Sequence, residues 1–401
     1  MRTPRPRAYL DHAATSPMPD PVLAVYTQAL RTVGNPASTH GHGQAASDRL
    51  EEARERIASA LGCDAAETIL TAGGTESINL ALKGLFWARR RAGAGPVLLI
   101  AEGEHHATIE AAEWLRDSQG AILRLLPIDA EGVLRPQVLE AAIEDEGADR
   151  IALVSFLWAN NEVGSIQPVP ELAAIARAAG IPVHVDAVAA LGQLSVDFRA
   201  AGVSALSVSA HKVGGPVGVG ALVVDRRTAI DPLLHGGTQQ RARSGTQDVA
   251  GAVAFAAALD HAHGLQDGRG LGERIARLAA LRDRLVAGVR AAVPGAVMRG
   301  ADPAEPGARL AGNAHFTFPG CQGDSLVFLL DAAGVSASVG SACQAGVAEI
   351  SHVLLAMGVP EHDAAGSLRF TLGPDTREDE IDALLEELPG AVERARAAGL
   401  S

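Results

Sequence analysis

Short apolar runs alternate with longer amphipathic stretches through the first half of the chain, and this alternation constrains the fold most. The runs lie at residues 68–71, 97–100, 121–125, 151–155, 181–185 and 221–224. Apolar runs of this length without polar alternation are typical of strands buried on both faces. Helical stretches fit between most of them, which predicts an α/β fold with a mostly parallel sheet. Ligands are then expected beyond the carboxyl ends of the strands.

The rest of the chain has a different pattern, and we predict a second domain there. A polar, Gly-rich break at residues 266–270 interrupts a long helical region and is where we place the boundary. Strand-like and helical patterns follow it at residues 313–318, 324–333, 351–357, 368–372 and 377–397. The prediction is a large domain over residues 15–264 and a smaller α+β domain formed by residues 1–14 and 265–401.

Charge and cysteine content exclude several classes of protein. A formal net charge of -13 over 401 residues disfavours nonspecific binding to nucleic acid or to anionic membranes. We find no secretory signal pattern and no apolar run long enough to cross a membrane, and we expect a cytoplasmic protein. The three cysteines, Cys63, Cys321 and Cys343, are odd in number and widely spaced. This pattern predicts neither a disulfide framework nor a metal site.

Lysine is almost absent, which narrows the search for a reactive amine. Only Lys83 and Lys212 occur, and Arg takes nearly all other cationic positions. Lys can form an imine with a carbonyl cofactor, whereas Arg cannot. Lys83 falls in a predicted helix at residues 76–90, where the ammonium is expected in water. Lys212 follows the apolar run 203–208 and precedes a Gly-rich stretch, so it is the better candidate, although a surface-loop lysine is the alternative.

Two further features of the sequence are suited to binding a ligand that carries a phosphate group and a charged ring. The turn Gly73-Gly74-Thr75 lies between a strand and a helix, where free backbone N–H groups can bind an anion, although glycines there can also serve geometry alone. Asp186 ends a buried strand, where a carboxylate needs a cation or caps the next helix. A protonated pyridine nitrogen would be such a cation, so Asp186 and Lys212 together suit pyridoxal phosphate (PLP).

Two residues in the second half of the chain are candidates for chemistry on a substrate. Cys343 lies among small residues in a Gly-flanked stretch, which favours an accessible, reactive thiol, whereas Cys63 and Cys321 are interpreted as structural. Arg369 is expected half-buried in a strand, where it could bind a substrate carboxylate or pair with an internal acid.

Ten blocks together resemble the NifS/IscS-type cysteine desulfurases, which are PLP-dependent enzymes of the class V aminotransferase family with the aspartate-aminotransferase fold (fold type I). The blocks occur in the family's order at residues 9–15, 34–38, 73–77, 104–106, 159–164, 184–187, 209–212, 243–246, 340–343 and 368–370. The resemblance covers nearly the whole chain. It implies a PLP-dependent transferase fold with a mostly parallel large-domain sheet.

The resemblance also implies a role for individual residues. Lys212 would form the Schiff base with PLP, Asp186 would pair with its ring nitrogen, His105 would stack on the ring, and Cys343 would be the nucleophile. The residues implied for the phosphate are Gly74, Thr75, Ser209 and His211, with Thr246 from the second subunit of a homodimer. Those implied for the substrate carboxylate are Asn35, Asn161 and Arg369.

The implied reaction converts L-cysteine to L-alanine and leaves a persulfide on Cys343 for a sulfur-acceptor protein, either an iron-sulfur scaffold or a tRNA-thiolating enzyme. Three positions depart from the family pattern: Ala189 replaces a usual Gln, Gln240 lies in a shortened segment that lacks a usual Glu, and His12 replaces a common Asn. Ala189 and the altered segment around Gln240 leave a weakly active PLP-binding scaffold as one alternative. The nearest alternative is another enzyme of the same fold, such as a selenocysteine lyase or a class V aminotransferase.

Overall fold

The computed structural model describes residues 8–264, 268, 270–340 and 350–399. Its strands are β1 (Ala8–Tyr9), β2 (Thr68–Thr71), β3 (Val97–Ala101), β4 (Ile122–Leu126), β5 (Ile151–Leu157), β6 (Val183–Asp186), β7 (Ala205–Ser209), β8 (Gly220–Val224), β9 (Val297–Arg299), β10 (Asn313–Thr317), β11 (Val335–Ser336) and β12 (Ser367–Thr371).

The helices alternate with these strands through the first half of the chain, as the sequence predicted. They are α1 (Asp20–Leu30), α2 (Gly41–Ala60), α3 (Gly74–Arg91), α4 (His106–Gln119), α5 (Pro136–Glu146), α6 (Val169–Ala178), α7 (Phe198–Ala201), α8 (Val249–Ala262), α9 (Gly270–Ala292), α10 (Gly323–Ala332), α11 (His352–Ala356), α12 (Glu361–Ala364) and α13 (Glu378–Gly399). In the ranges given above, no helix is both long and apolar enough to span a membrane.

Seven strands form one large sheet in the order β2-β8-β7-β6-β5-β3-β4. The strands from β7 to β4 pair in parallel, and β8 runs antiparallel to both of its neighbours. The connection from β7 to β8 is too short for the helical crossover that a parallel pair needs, which explains the reversal of β8. The predicted α/β class with a mostly parallel sheet is confirmed.

Helices cover both faces of this sheet, which is why its strands are apolar without alternation. All five residues of β3 are buried. Leu98 and Ile100 pack into one hydrophobic cluster with residues of α3 and α4, whereas Leu99 and Ala101 pack into a second cluster on the opposite face. Side chains alternate between the faces of a strand, so both faces must be apolar when both are covered.

A third hydrophobic cluster joins the beginning of the described chain to its C-terminal part. Ala8 and Leu10 belong to it together with residues of α9, α10 and α13. The strands β12, β10 and β9 form an antiparallel sheet, and β1 pairs in parallel with β11. The sequence patterns missed β9, β11 and α12, each of which is at most four residues long. The domain division at residues 264 and 265 stays a prediction, because residues 265–267 and 269 lie outside the described ranges.

Candidate active site

A cavity of 360 Å³ lies at the carboxyl ends of β5, β6 and β7, where a parallel sheet is expected to bind its ligands. Its walls bring together most of the residues that the sequence singled out: Gly74, Thr75, His105, Asn161, Asp186, Ser209, His211, Lys212 and Arg369. These residues come from well-separated parts of the chain, and the order of the strands places them at one edge of the sheet.

Three predicted residues are not among those on this wall. Asn35 and Thr246 are exposed and do not line the cavity, and the Asn35 side chain accepts a hydrogen bond from the Ala37 amide at 2.9 Å. Cys343 lies outside the described residues. Ser338 and Gly340 on one side of residues 341–349, and His352 on the other, do line the cavity.

Lys212 lies in a single helical turn, Ala210–Val213, directly after β7. Its ammonium donates hydrogen bonds to the carbonyl oxygens of Ala13 and Ala14, the latter at 3.1 Å. Burial and, to a lesser extent, the positive charge of Arg369 lower the pKa of Lys212 to about 8 against the opposing effect of Asp186. A larger fraction of the amine is therefore neutral, and so nucleophilic, near physiological pH than for an exposed lysine.

Asp186 is the last residue of β6, and only 2% of it is exposed. One carboxylate oxygen accepts a hydrogen bond from the Val188 amide at 2.9 Å. Burial raises the pKa of Asp186 to about 6 despite the opposing effects of the Val188 amide and Lys212. A buried carboxylate of this kind is stabilised by a cation, which suits a protonated ring nitrogen.

His105 caps the N-terminus of α4 through its ring. Nδ1 accepts a hydrogen bond from the Ala107 amide at 3.1 Å, so this nitrogen carries no proton. Desolvation, together with the positive charges of Lys212 and His106, lowers the pKa of His105 to about 4. The positive end of the helix dipole acts in the same direction. A neutral ring on the cavity wall is suited to stacking on a flat aromatic ligand.

The turn between β2 and α3 has the properties of an anion site. Gly73 has a φ of 142°, and α3 begins at Gly74 without a side-chain cap, which leaves the first backbone N–H groups free for a ligand. A Cβ on Gly74 would lie 2.9 Å from a methyl group of Val188. Ser209 Oγ is buried and has no hydrogen-bond partner among the residues that the structure describes. A phosphate oxygen would satisfy it.

Arg369 and Asn161 occupy another part of the wall. Arg369, on β12, donates hydrogen bonds from Nη1 to the Asn161 carbonyl and from Nη2 to Asp11 Oδ1, both at 2.9 Å. The pairing with an internal acid is thus present, and the residue still lines the cavity. Guanidinium groups with several donors can bind a carboxylate in addition to a fixed partner.

The chain matches the aminotransferase class-V family over residues 8–384. It is 51% identical to an IscS-like cysteine desulfurase of Mycobacterium tuberculosis over 98% of each chain. It is 38% identical to the cysteine desulfurase IscS of Methanosarcina thermophila over 97% of this chain and 92% of the other. The chain belongs to the class-V aminotransferase family, among the IscS-like cysteine desulfurases.

Solved structures of other family members have the same fold. A NifS-like protein, 33% identical, superposes with a TM-score of 0.86 over 97% of this chain and all of its own. A structure described as SspA in complex with cysteine is 28% identical to this chain. It superposes with a TM-score of 0.77 over 92% of this chain and all of its own. The predicted fold type I architecture is confirmed.

The cofactor of this family is PLP, and the prediction of PLP is confirmed. The residues present fit it, because the Ser209 hydroxyl and the N-terminus of α3, neither of which has a side-chain partner among the described residues, suit its phosphate. Asp186 suits the ring nitrogen, and Lys212 is an amine with a lowered pKa for its aldehyde.

Sequence reasoning gave no individual role to four residues on the cavity wall, Glu104, His106, Glu162 and His352. Glu104 is buried and accepts a hydrogen bond from the Leu157 amide at 2.6 Å; burial and the nearby Asp186 raise its pKa to about 8. The rings of His106 and His352 lie 5.0 Å apart. Glu104 and His106 flank His105 in the sequence block at residues 104–106. Their position beside His105 was the signal in the sequence that could have identified them.

The departures at Gln240 and His12 have local structural consequences. The Gln240 amide pairs with the free edge of β2, accepting from the Leu70 amide at 3.0 Å and donating to the Leu70 carbonyl at 2.7 Å. A carboxylate could not make the second of these bonds. His12 is buried, its Nδ1 lies 3.2 Å from Ser16 Oγ, and burial lowers its pKa.

Lys83 and the two described cysteines are outside the site. The Lys83 ammonium lies 4.3 Å from the ring centre of Trp114, so a cation–π contact replaces the fully hydrated ammonium expected from the helix pattern. Burial raises the pKa of the Cys63 thiol to about 11 and also raises that of Cys321. Both thiols are therefore poor nucleophiles.

Proposed function

We propose that this protein removes sulfur from L-cysteine, releases L-alanine, and holds the sulfur as a persulfide on Cys343 for transfer to an acceptor. The observation that carries the proposal is the convergence of Lys212, Asp186 and Arg369 on one cavity at the carboxyl edge of the sheet. The names of its relatives support the same activity.

Arg369 and Asn161 would hold the carboxylate of the substrate, with Asn35 as a further predicted contact. The guanidinium of Arg369 is fixed by the Asn161 carbonyl and by Asp11, so little side-chain freedom remains to be lost on binding. A carboxylate held there would place the amine and the sulfur of cysteine in the same cavity as Lys212.

Lys212 would move the proton of the substrate's Cα. Its lowered pKa allows the side chain to accept and release a proton near neutral pH, as a general acid–base residue must. PLP, when bound, supplies an electron sink for the bonds at Cα. Asp186 would keep the ring nitrogen protonated, and His105 would hold the ring by stacking.

Cys343 would attack the sulfur of the substrate as a thiolate. The new bond joins the two sulfur atoms, the C–S bond of cysteine breaks, and its electron pair leaves with the carbon, which then takes a proton to give alanine. The sulfur atom remains on Cys343 as a persulfide. An acceptor protein, either an iron-sulfur scaffold or a tRNA-thiolating enzyme, would then remove it.

We also propose that the protein works as a homodimer. Thr246 does not line the cavity of its own chain, and in a dimer it could reach the phosphate site of the partner. Several apolar side chains of the N-terminal part of the chain support an interface because they are unusually exposed: Leu23 (49%), Leu30 (60%) and Val33 (76%). Light scattering should show a dimer, which Leu30→Glu with Val33→Glu should weaken.

The experiment that tests the proposed activity measures the intact mass of the PLP-loaded protein after incubation with L-cysteine, with and without reductant. We expect a gain of one sulfur atom that reductant removes and that Cys343→Ala abolishes, while Cys321→Ala, as matched control, retains it. Alanine formation at the wild-type rate by Cys343→Ala would contradict the proposal and indicate a lyase-type reaction, whereas formation of a 2-oxo acid in place of alanine would indicate an aminotransferase. A loaded protein that gains no sulfur and forms no alanine would also contradict it.

A further inference from the structure

A second, much smaller cavity of 30 Å³ lies beside the main one. The two cavities share part of their wall, formed by Ala13, Asn161, Val188, Ala189 and Lys212. The small cavity, which we call the side cavity, continues to Gln193, Leu310, Gly312, Asn313 and Thr371. It lies next to the short side chain of Ala189.

Asn161 lines both cavities and has an unsatisfied side-chain oxygen. Its Oδ1 is buried and has no hydrogen-bond partner among residues 8–264, 268, 270–340 and 350–399. Its backbone is fixed, because the Asn161 carbonyl accepts from Arg369 and the neighbouring Asn160 side chain accepts from the amides of Glu162 and Val163. A buried amide oxygen without a partner is destabilising, so a ligand that donates a hydrogen bond is favoured.

The side cavity has the size and polarity for one water molecule. A buried water needs roughly 10–15 Å³ of such volume and two to four polar partners, and the side cavity offers 30 Å³. Besides Asn161, its wall carries the Thr371 hydroxyl, which accepts from the Ala13 amide at 2.9 Å, and the Gln193 amide oxygen, which accepts from the Gly312 amide at 2.9 Å. Each of these oxygens has a further lone pair.

We propose that the side cavity binds a single buried water that donates to Asn161 Oδ1, and that Ala189 makes room for it. This bond would fix the Asn161 amide so that its Nδ2 faces the main cavity and the substrate carboxylate. The water site follows from the cavity and the unpartnered oxygen alone, whereas the role of Asn161 toward substrate rests on the proposed function. Asn161 is then a substrate-binding residue, and Ala189 is a positioning residue that acts through it.

Two substitutions that introduce side chains of similar length distinguish a side cavity that holds water (a wet cavity) from one that does not (a dry cavity). Ala189→Leu would expel the water and leave Asn161 Oδ1 unpaired, whereas Ala189→Gln would replace the water with an amide that can donate. For a wet cavity we expect Ala189→Leu to lower Tm by about 2 °C or more relative to Ala189→Gln. We also expect Ala189→Leu to raise KM for cysteine roughly fivefold to tenfold with a smaller change in kcat.

A dry cavity predicts the reverse order of stability, because Leu would fill an apolar void and Gln would bury an unpaired amide. The same two substitutions at the exposed Ala304 serve as the matched control and should leave Tm and KM unchanged. A Tm of Ala189→Leu equal to or above that of Ala189→Gln would overturn the proposal.

A high-resolution crystal structure of the PLP-loaded wild-type protein tests the water directly, whether or not the variants fold. Density for a water within hydrogen-bond distance of Asn161 Oδ1 would support the proposal, and a protein group bonded to that oxygen, or a side cavity without density, would overturn it. Neither the density nor Tm depends on turnover. A protein with the water but without desulfurase activity would therefore contradict the proposed function and retain the water site.

Discussion

Arg369 Nη2 lies 2.9 Å from Asp11 Oδ1, although 358 positions separate the two residues in the chain. Asp11 follows β1, and Arg369 lies on β12 of the antiparallel sheet. Two and three residues beyond Asp11, the carbonyl oxygens of Ala13 and Ala14 accept hydrogen bonds from Lys212. The beginning of the chain therefore connects the proposed substrate-binding arginine with the proposed catalytic lysine.

This contact predicts that Arg369→Lys will impair substrate binding. A lysine has a single ammonium in place of the planar fork and cannot keep both fixed partners while binding a carboxylate. We expect KM for L-cysteine to rise about tenfold or more, measured from alanine formation. Arg377→Lys is the matched control, because Arg377 is an exposed arginine that pairs with Asp379. Unchanged kinetics for Arg369→Lys would contradict the role.

Lys212 predicts a pH dependence of cofactor binding. Only the neutral amine reacts with an aldehyde, and burial lowers the pKa of Lys212 to about 8 from 10.5. The rate at which PLP-free protein takes up PLP should therefore rise with pH and level off above about 8, followed by absorbance in a stopped-flow instrument. Lys83→Arg should give the same profile. A rate that keeps rising to pH 10 would show that the Lys212 pKa is not lowered.

Asp186 and Glu104 are two buried carboxyl groups that should respond differently to amidation. Asp186→Asn removes the charge that would hold the ring nitrogen protonated, so we expect alanine formation to fall at least a hundredfold, roughly the effect of losing a close charge partner. The pKa of Glu104 is raised to about 8, so this group is mostly protonated at pH 7 and resembles an amide. Glu104→Gln should therefore retain most of the activity at pH 7.

Rates of alanine formation by the two variants, at saturating PLP and pH 7, check this pair. Each amide keeps the backbone contact of the parent residue, since Val188 donates to Asp186 and Leu157 donates to Glu104. Equal losses in both variants would mean that the two carboxyl groups share one charge, and the assignment of Asp186 alone to the ring nitrogen would be wrong.

The sequence predicted much of this arrangement, because two strong physical signals are visible in it. Apolar runs without alternation identified the covered sheet, and the scarcity of lysine identified Lys212. The raised pKa of Glu104 and the side cavity beside Ala189 could not be predicted, since both depend on burial by residues distant in the chain. Among the described strands, β9 pairs only with β10, and it has too few residues for a recognisable period.

His184 predicts how the stability of the fold depends on pH. It is fully buried in β6, and its ring nitrogens each lie 2.8 Å from a serine hydroxyl, Nδ1 from that of Ser155 and Nε2 from that of Ser207. Burial lowers its pKa to about 3, whereas the unfolded chain has a histidine pKa near 6.5. Between these two pKa values the unfolded state binds one more proton than the folded state. The stabilising effect of the neutral, buried His184 is therefore complete above about pH 6.5 and is lost progressively as the pH falls toward about 3.

Each pH unit of acidification in this interval should lower the free energy of unfolding by about 1.4 kcal/mol because of His184. Urea unfolding at pH 7.5, 6.0 and 5.0 measures this slope. His184→Gln should be less stable than the wild type at pH 7.5 but should lose less stability on acidification. Part of the slope should remain in this variant, because burial also lowers the pKa of His315 to about 3. His362→Gln, at a side chain that is 81% exposed, should keep the wild-type slope. An unchanged slope in His184→Gln would show that His184 is not the group that titrates.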